Sequence, residues 1–269
     1  TVCAINYNID GDEIDASAVL IDEYWVMTAA HNLIDEDASE PNPNITTIYI
    51  IFGNDFNNSD FSVEVEKVFV HPGWYENLST GTENGVDICL LKLKTPVTTI
   101  TPAPYNKTDS EKIGERVYVC GFGDYIDISF GTDEYSLKHA FENILDRKVD
   151  GIEAYNSYAG DDIYKGGLLA TDFDSPVEYT NTLDENSIDS EYPEVIILGP
   201  GFSSEKPLDM EGTTVPGDNG CPMFMKINNV WTVIGITSSG TTDSNYGDVA
   251  VFTRVYSHAA WIENIMTNN

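Results

Sequence analysis

Two polar residues stand beside apolar segments of this sequence. His31 follows the apolar segment 25–30, and Asp87 directly precedes the apolar segment 88–93. Histidine is the side chain that most readily exchanges a proton near neutral pH, although a lone histidine after a strand is ordinarily structural. A carboxylate at the mouth of an apolar strand is costly to bury alone. Asp87 therefore needs a partner elsewhere in the chain.

A third segment, Pro-Gly-Asp-Asn-Gly-Cys-Pro at 216–222, completes an ordered set. The series Thr-Ala-Ala-His at 28–31, Asp-Ile-x-Leu-Leu at 87–91 and Gly-Asp-x-Gly-x-Pro at 217–222 resembles the trypsin-like serine proteases. The resemblance covers most of the chain. It extends to Val-His-Pro at 70–72, Gly-Phe-Gly at 121–123, Gly-Ile-Thr-Ser at 235–238, Val-Phe-Thr-Arg-Val at 251–255 and Trp-Ile at 261–262.

The resemblance implies a role for each matched residue. His31 would be the general base, Asp87 would orient it, and the backbone amides of Gly217 and residue 219 would bind the oxyanion. The nucleophile position, however, holds Asn219. A carboxamide nitrogen is delocalised into its carbonyl and offers no hydroxyl or thiol for His31 to activate. We therefore expect a non-catalytic homologue, a pseudoprotease with a degenerate triad.

The same alignment of motifs points to the ligand pocket. Thr213, six residues before Asn219, takes the position at which trypsin has the aspartate that selects basic side chains. Because Thr213 is uncharged, no preference for lysine or arginine follows. The other expected binding residues are Gly217, Ser238, Ser239 and Gly240.

Four cysteines occur without any Cys-x-x-Cys or short Cys/His spacing, which argues against a thiolate metal site. The resemblance implies the disulfides Cys3–Cys120 and Cys89–Cys221, with buried free thiols as the alternative. No metal or cofactor is expected. Calcium is a weaker alternative in the loop 54–66, which carries the carboxylates Asp55, Asp60, Glu64 and Glu66.

Charge and composition restrict the partners. Forty-five acidic residues against thirteen basic ones give a net charge of −32, which repels nucleic acid and anionic membranes. No apolar run is long enough for a membrane span, and no leader-like segment opens the chain at Thr1. We expect a secreted, extracellular protein, processed to the form given. Its candidate glycosylation sequons begin at Asn44, Asn57, Asn77 and Asn106.

Short runs rich in β-branched and aromatic residues, separated by Gly, Pro, Asn and Asp, predict an all-β fold. An amphipathic helix is predicted at 257–266. The resemblance implies one trypsin-like domain over 1–269, a double six-stranded antiparallel β-barrel. Its parts would be a first half-barrel (1–108), a second (109–255) with an acidic insertion around 150–195, and the closing helix. The predicted strands are 17–21, 24–30, 47–52, 63–70, 88–93, 116–121, 195–198, 223–227, 230–237 and 249–255.

Three functions remain open from the sequence. The first is a regulatory or binding pseudoprotease that captures a protein or peptide without cutting it. The second is an active serine endopeptidase in which Asn219 is an engineered or misassigned residue. The third is an acidic storage or structural protein that uses the fold only as a stable shell. The oligomeric state stays open.

Overall fold

The computed structural model describes residues 1–9, 12–34, 45–75, 82–127, 132–134, 137–156, 162–177, 180–184, 193–241 and 245–269. The strands in these ranges are β1 (Val2–Ile9), β2 (Asp12–Asp22), β3 (Trp25–Thr28), β4 (Tyr49–Phe52), β5 (Phe61–Val70), β6 (Cys89–Leu93), β7 (Arg116–Gly121), β8 (Tyr125–Asp127), β9 (Thr132–Glu134), β10 (His139–Ile144), β11 (Arg147–Asp150), β12 (Ala154–Asn156), β13 (Asp162–Tyr164), β14 (Gly167–Asp172), β15 (Pro222–Ile227), β16 (Val230–Gly240) and β17 (Val249–Arg254). The helices are α1 (Pro193–Leu198) and α2 (Ala259–Asn268), with short 3-10 turns at Pro72–Tyr75 and Val255–His258.

The first half of the chain forms a closed antiparallel barrel in the order β1-β2-β3-β6-β5-β4. The side chains of β5 alternate between the inside and the outside of this barrel. Val63 and Val65 are buried, whereas Glu64 and Glu66 face outward. The interior is filled by apolar side chains such as Ile5, Leu20 and Phe52. His31 and Asp87 lie just beyond β3 and just before β6, which pair directly in this barrel.

The second half forms a seven-stranded antiparallel sheet in the order β10-β7-β15-β16-β17-β14-β11. Val119, Met223 and Phe252 contribute to its core. The expected fold of two β-barrel-like halves is thus confirmed, although among the described residues the second half is a seven-stranded sheet where a closed six-stranded barrel was expected. A register shift between Thr237 and Ser239 interrupts the β16–β17 pairing. Such bulges redirect side chains, and this one lies at the functional cleft.

The two halves share a third core, in which Met27 and Leu90 of the first barrel pack with Ile236 of the second. Helix α2 covers this core with Ile262, fully buried, and with Trp261 beside it. The predicted helix is confirmed, beginning two residues later than expected, after the 3-10 turn. Within the described ranges, no helix has the length and apolarity to cross a bilayer.

Two sequence predictions in the acidic region are wrong. The supposed insertion 150–195 contains β14, a fully buried strand paired to both β11 and β17 in the second sheet. The predicted strand 195–198 is part of helix α1, whose Leu198 packs with Leu168 and Val251 on the outer face of that sheet. A short apolar run fits a strand or a buried helix turn equally well, so packing decided between them.

Candidate functional site

A histidine–aspartate pair lies in the cleft between the two halves. His31 Nδ1 is 2.7 Å from Asp87 Oδ2, and the His31 backbone amide donates to Asp87 Oδ1 at 3.0 Å. Asp87 is fully buried, while about a fifth of the His31 side chain is exposed. Burial alone would raise the pKa of Asp87, but the interactions with His31 and Ser238 outweigh it and lower the pKa. The carboxylate is therefore held ionised.

The second half of the chain completes the environment of Asp87. Ser238 Oγ, at the β16 bulge, donates to Asp87 Oδ2 at 2.6 Å, and Thr253 Oγ1 of β17 donates to the Asp87 carbonyl at 2.9 Å. The sequence predicted Ser238 only as a ligand-binding residue. Its additional role follows from the pairing of β16 with β17, which sequence spacing alone did not reveal.

Asn219 lies across the cleft in the turn between Pro216 and Cys221. The Asn219 carbonyl accepts hydrogen bonds from the Ser17 amide and from Asn32 Nδ2, both at 3.0 Å. Asn32 directly follows His31, so one side chain ties the histidine turn to the Asn219 turn. Gly220 next to it has φ +85°, a conformation that favours glycine. The turn that holds Asn219 and the turn that holds His31 are thus fixed relative to each other.

Asp218 is fully buried beneath this turn and has three partners. Its carboxylate accepts from the amides of Gly123 (3.0 Å) and Val215 (3.1 Å), and it lies 3.2 Å from His139 Nε2. Burial opposes protonation of His139, but the Asp218 carboxylate outweighs it and raises the pKa of the histidine. His139 was not identified from the sequence, where the only signal was that a buried Asp218 requires a partner.

Three backbone carbonyls of the turn accept hydrogen bonds, whereas two of its backbone amides remain available as donors. The Gly217 carbonyl accepts from Ser17 Oγ at 3.0 Å, the Asp218 carbonyl accepts from the Cys221 amide at 2.8 Å, and the Pro216 carbonyl from the Asp124 amide at 2.8 Å. In the part of the chain that the structure describes, the Gly217 and Asn219 amides have no protein acceptor. They are the donors that the sequence predicted for an oxyanion.

A cavity of about 310 Å³ opens beside Asn219. Ser238, Ser239 and Gly240 line it as expected, but Thr213 and Gly217 do not. Thr213 Oγ1 is buried without a hydrogen-bond partner among the described residues. Gly217 instead borders a neighbouring cavity of about 290 Å³. The remaining lining residues are Thr214, Val215, Pro216, Asn219, Thr237 and Thr241, so the wall has no charged side chain.

The cysteines depart from the expected disulfides. Cys3, Cys89, Cys120 and Cys221 are all free thiols. Cys89 packs in the core of the first barrel and Cys221 in that of the second sheet, so the two are in separate interiors. Cys3 belongs to the first core, whereas Cys120 is half-buried outside both. Burial raises the pKa of Cys3 to about 12 and also raises that of Cys89, which keeps both thiols neutral.

One of the predicted glycosylation sites also needs correction. Asn106 is only 3% exposed, and its Nδ2, the atom that would carry a glycan, is buried in the folded chain. Asn57 is exposed. The sequons at Asn44 and Asn77 lie outside the described residues.

The proposed calcium loop shows no converging ligand set. Glu64 forms an ion pair with Lys94, and Glu66 lies 3.2 Å from Lys92, so both carboxylates have cationic partners. Across the described ranges, no three His, Cys, Asp or Glu side chains are grouped so that they could hold a metal ion.

The double barrel, the His31–Asp87 pair and the Gly-Asp-x-Gly turn facing it define the chymotrypsin-like class of serine protease folds. The trypsin family model matches residues 3–174, and the chain belongs to this family.

Several curated proteins are similar to the chain. Complement C1s subcomponent of Sus scrofa is 33% identical over 115 residues, which is 40% of this chain and 16% of that protein. Chymotrypsin-like elastase family member 1 of Canis lupus familiaris is 25% identical over 260 residues, covering 93% and 80%. Urokinase-type plasminogen activator of Gallus gallus is 23% identical over 270 residues, covering 98% and 54%. The match thus spans about one sixth of C1s and about half of the plasminogen activator.

Proposed function

We propose that this chain is a pseudoprotease that binds a protein or peptide in the cleft without cutting it. One observation carries the proposal: Asn219 occupies the nucleophile position opposite an otherwise complete His31–Asp87 pair. Without a hydroxyl or thiol there, no acyl-enzyme can form. The two available amides of the turn and the uncharged cavity beside it remain suited to holding a ligand carbonyl and a neutral side chain.

Restoring the serine tests the catalytic half of this proposal. The natural chain is expected to give no labelling by a fluorophosphonate probe and no hydrolysis of a mixed peptide library. Asn219→Ser should gain labelling and raise hydrolysis by at least about 10²-fold, below the ~10⁶ that separates an intact triad from one without its nucleophile. The double variant Asn219→Ser/His31→Ala should lose that gain.

Two other outcomes would each contradict a part of the proposal. Labelling of the natural chain would mean that another nucleophile operates and that the chain is an active hydrolase. An inert Asn219→Ser protein with an unchanged melting temperature would contradict the inference that His31 and Asp87 are positioned for catalysis.

The binding half needs a measurement that does not depend on chemistry. Peptides retained from a mixed library by the immobilised natural chain are identified by mass spectrometry. Thr214→Trp, which fills the cavity beside Asn219, should abolish retention. Thr99→Trp, at an exposed position away from the cleft, is the matched control and should retain the same peptides. Equal retention by both variants would place binding elsewhere.

The proposal includes an extracellular location. Exposed Asn57 begins the sequon Asn57-Asn58-Ser59 and is accessible to a glycan. Peptide mapping of the native protein before and after glycosidase treatment should show a mass change at Asn57 and none at buried Asn106. An unmodified Asn57 in protein from its natural source would remove this support.

A further inference from the structure

Buried acidic side chains converge from three segments of the second half. Asp146 lies between β10 and β11, Asp172 ends β14, Asp174 follows it, and Glu211 reaches them from the stretch before the Asn219 turn. The three aspartates are only 1%, 2% and 5% exposed. The Asp172 backbone amide donates to Asp146 Oδ2 at 3.4 Å, and the Asp174 amide donates to Glu211 Oε1 at 2.8 Å, so the acidic side chains are neighbours.

These carboxyl groups hold a chain segment that has little regular structure. Residues 203–212 contain no helix and no multi-residue strand. Instead, the Ser204 amide donates to Asp146 Oδ1 at 2.8 Å, and Ser203 Oγ donates to Asp172 Oδ1 at 3.0 Å. Further along, the Leu208 amide donates to Glu211 Oε2 at 2.5 Å. Backbone bonds tie only the end of the segment to β10, through Glu142, at Met210 and Gly212, so side-chain carboxyls hold the part before it.

The segment 203–212 continues directly into the wall of the cavity. The Gly212 carbonyl accepts from Asn143 Nδ2 at 3.0 Å, and the same Nδ2 bonds the Asp172 carbonyl at 2.9 Å. The next residues, 214–216, line the cavity beside Asn219. Any loosening of 203–212 therefore reaches the ligand cavity through a continuous stretch of backbone.

The surroundings of the cluster favour the protonated carboxyls. Burial raises the pKa of Asp146 to about 9 and that of Asp174 to about 8, with the neighbouring carboxylates adding to both effects. Asp172 and Glu211 also have raised pKa values, again chiefly from burial. Other charged groups also face the cluster. Glu142 of β10 is paired to Arg116, and Arg147 belongs to β11. Asp184 lies in a neighbouring loop, and Glu205 lies in the segment 203–212 itself.

The Arg147 guanidinium beside the cluster donates to backbone carbonyls and not to the four carboxyl groups. Its Nε donates to the Gly199 carbonyl at 3.0 Å, and its Nη atoms bond the carbonyls of Phe202 and Leu183. Among the described residues, no ion pair joins Arg147 to these four carboxyl groups, although its positive charge still acts on Asp146 and Asp172.

We propose that the segment 203–216 is a pH-sensitive wall of the cavity, ordered while the Asp146–Asp172–Asp174–Glu211 cluster is protonated and loosened as it ionises. A carboxyl group with a folded-state pKa above its unfolded value of about 4 stabilises the fold fully below that value. The stabilisation is lost as the pH rises through the folded-state pKa. The wall is therefore ordered at mildly acidic pH and opens above neutrality. Its consequence for ligand capture rests on the proposed function.

Pulsed amide hydrogen exchange tests the wall without any ligand. After correction for intrinsic rates, protection of the Ser204, Leu208 and Met210 amides should fall at least about tenfold between pH 6 and pH 9, since one pKa unit corresponds to a factor of ten. Asp146→Asn keeps the shape and can donate to Asp172 but cannot ionise, so its protection should change less than about threefold. Asp174→Asn is a second variant that should move in the same direction.

Asp209→Asn is the matched control, because it removes one charge from an exposed position in the same segment. It should follow the natural chain. Protection that is independent of pH in the natural chain, or an Asp146→Asn profile identical to that of Asp209→Asn, would overturn the proposal.

Peptide-library retention at pH 6 and pH 8.5 then separates this inference from the proposed function. Retention that falls at pH 8.5 for the natural chain but persists for Asp146→Asn is the expected result. If retention does not change with pH while the amides of 203–212 lose protection, the inferred coupling between this segment and the cavity is wrong. Absence of retention at both pH values would refute the proposed peptide binding, whereas the exchange result would still decide whether the wall opens.

Discussion

Asp87 shows how a single residue depends on both halves of the chain. Its carboxylate accepts hydrogen bonds from His31 Nδ1, the His31 amide and Ser238 Oγ, at donor–acceptor distances of 2.6–3.0 Å. A buried carboxylate with several donors is stable only in its ionised form. The His31 tautomer with a proton on Nδ1 is the one that fits this arrangement. The His31–Asp87 arrangement is therefore intact although Asn219 stands in the turn opposite it.

Ser238→Ala should destabilise the fold at neutral pH. Removing the hydroxyl deprives the buried Asp87 carboxylate of one charge-assisted hydrogen bond, worth about 1.5–3 kcal/mol. Chemical denaturation at pH 7 measures the change. Ser239→Ala is the matched control, since the buried Ser239 Oγ has no partner among the described residues, and it should cost little.

The effect of Ser238→Ala should also depend on pH. The folded-state pKa of Asp87 is lowered, so the stabilisation is present above the unfolded pKa and disappears as the pH falls through the folded value. The difference between the variant and the natural chain should therefore shrink in strong acid. A difference that grew on acidification would contradict an ionised Asp87.

The turn 216–221 is the element on which the site depends most directly. A Cβ added at Gly220 would lie 2.1 Å from Thr28 Oγ1 and 2.4 Å from the Ser17 carbonyl oxygen. The turn is thus packed against the first barrel as well as belonging to the second half. Its geometry is fixed by close contact and by φ values that exclude most side chains.

Gly220→Ala should be more destabilising than a left-handed conformation alone explains. A non-glycine residue at φ +85° costs about 1–2 kcal/mol, and the clash with backbone adds to it, for an expected loss of about 3 kcal/mol or more. Gly199→Ala is the control, because Gly199 has φ +65° with nothing within 4 Å of its added Cβ. Thermal unfolding of both variants measures the contribution of the clash, and equal losses would rule it out.

The sequence predictions succeeded or failed element by element for physical reasons. Strands such as Arg116–Gly121 and the C-terminal helix have regular periodicity and turn residues at their ends. Strand β14, by contrast, was hidden in the acidic region, because its fully buried Gly-Leu-Leu-Ala-Thr-Asp shows no alternation. Pairing on both edges, with β11 and β17, is what makes that segment a strand.

At the scale of the whole molecule, the net charge of −32 is the dominant electrostatic feature. Exposed carboxylates repel one another and oppose the compact state. Salt screens this repulsion, since the Debye length falls to about 10 Å at 0.1 M. The few exposed ion pairs add little that salt could remove.

Thermal stability should therefore rise with salt. Between 10 and 200 mM sodium chloride at pH 7, we expect a gain of about 1 kcal/mol, or ~2 °C or more in melting temperature. Potassium chloride should act in the same way, which separates screening from a specific ion effect. A melting temperature that fell with salt would mean that attractive pairs outweigh repulsion.

The sequence by itself determined the family resemblance, the all-β class, the closing helix and the identities of His31, Asp87 and Asn219. These depend on motifs of a few adjacent residues or on local periodicity. Only the tertiary structure decided that Ser238 supports Asp87, that His139 pairs with Asp218, that the four cysteines are free and that the Asp172 amide meets the Asp146 carboxyl group. Each of these depends on which strands pair and where side chains converge, and contacts between residues far apart in the chain leave no local pattern in the sequence.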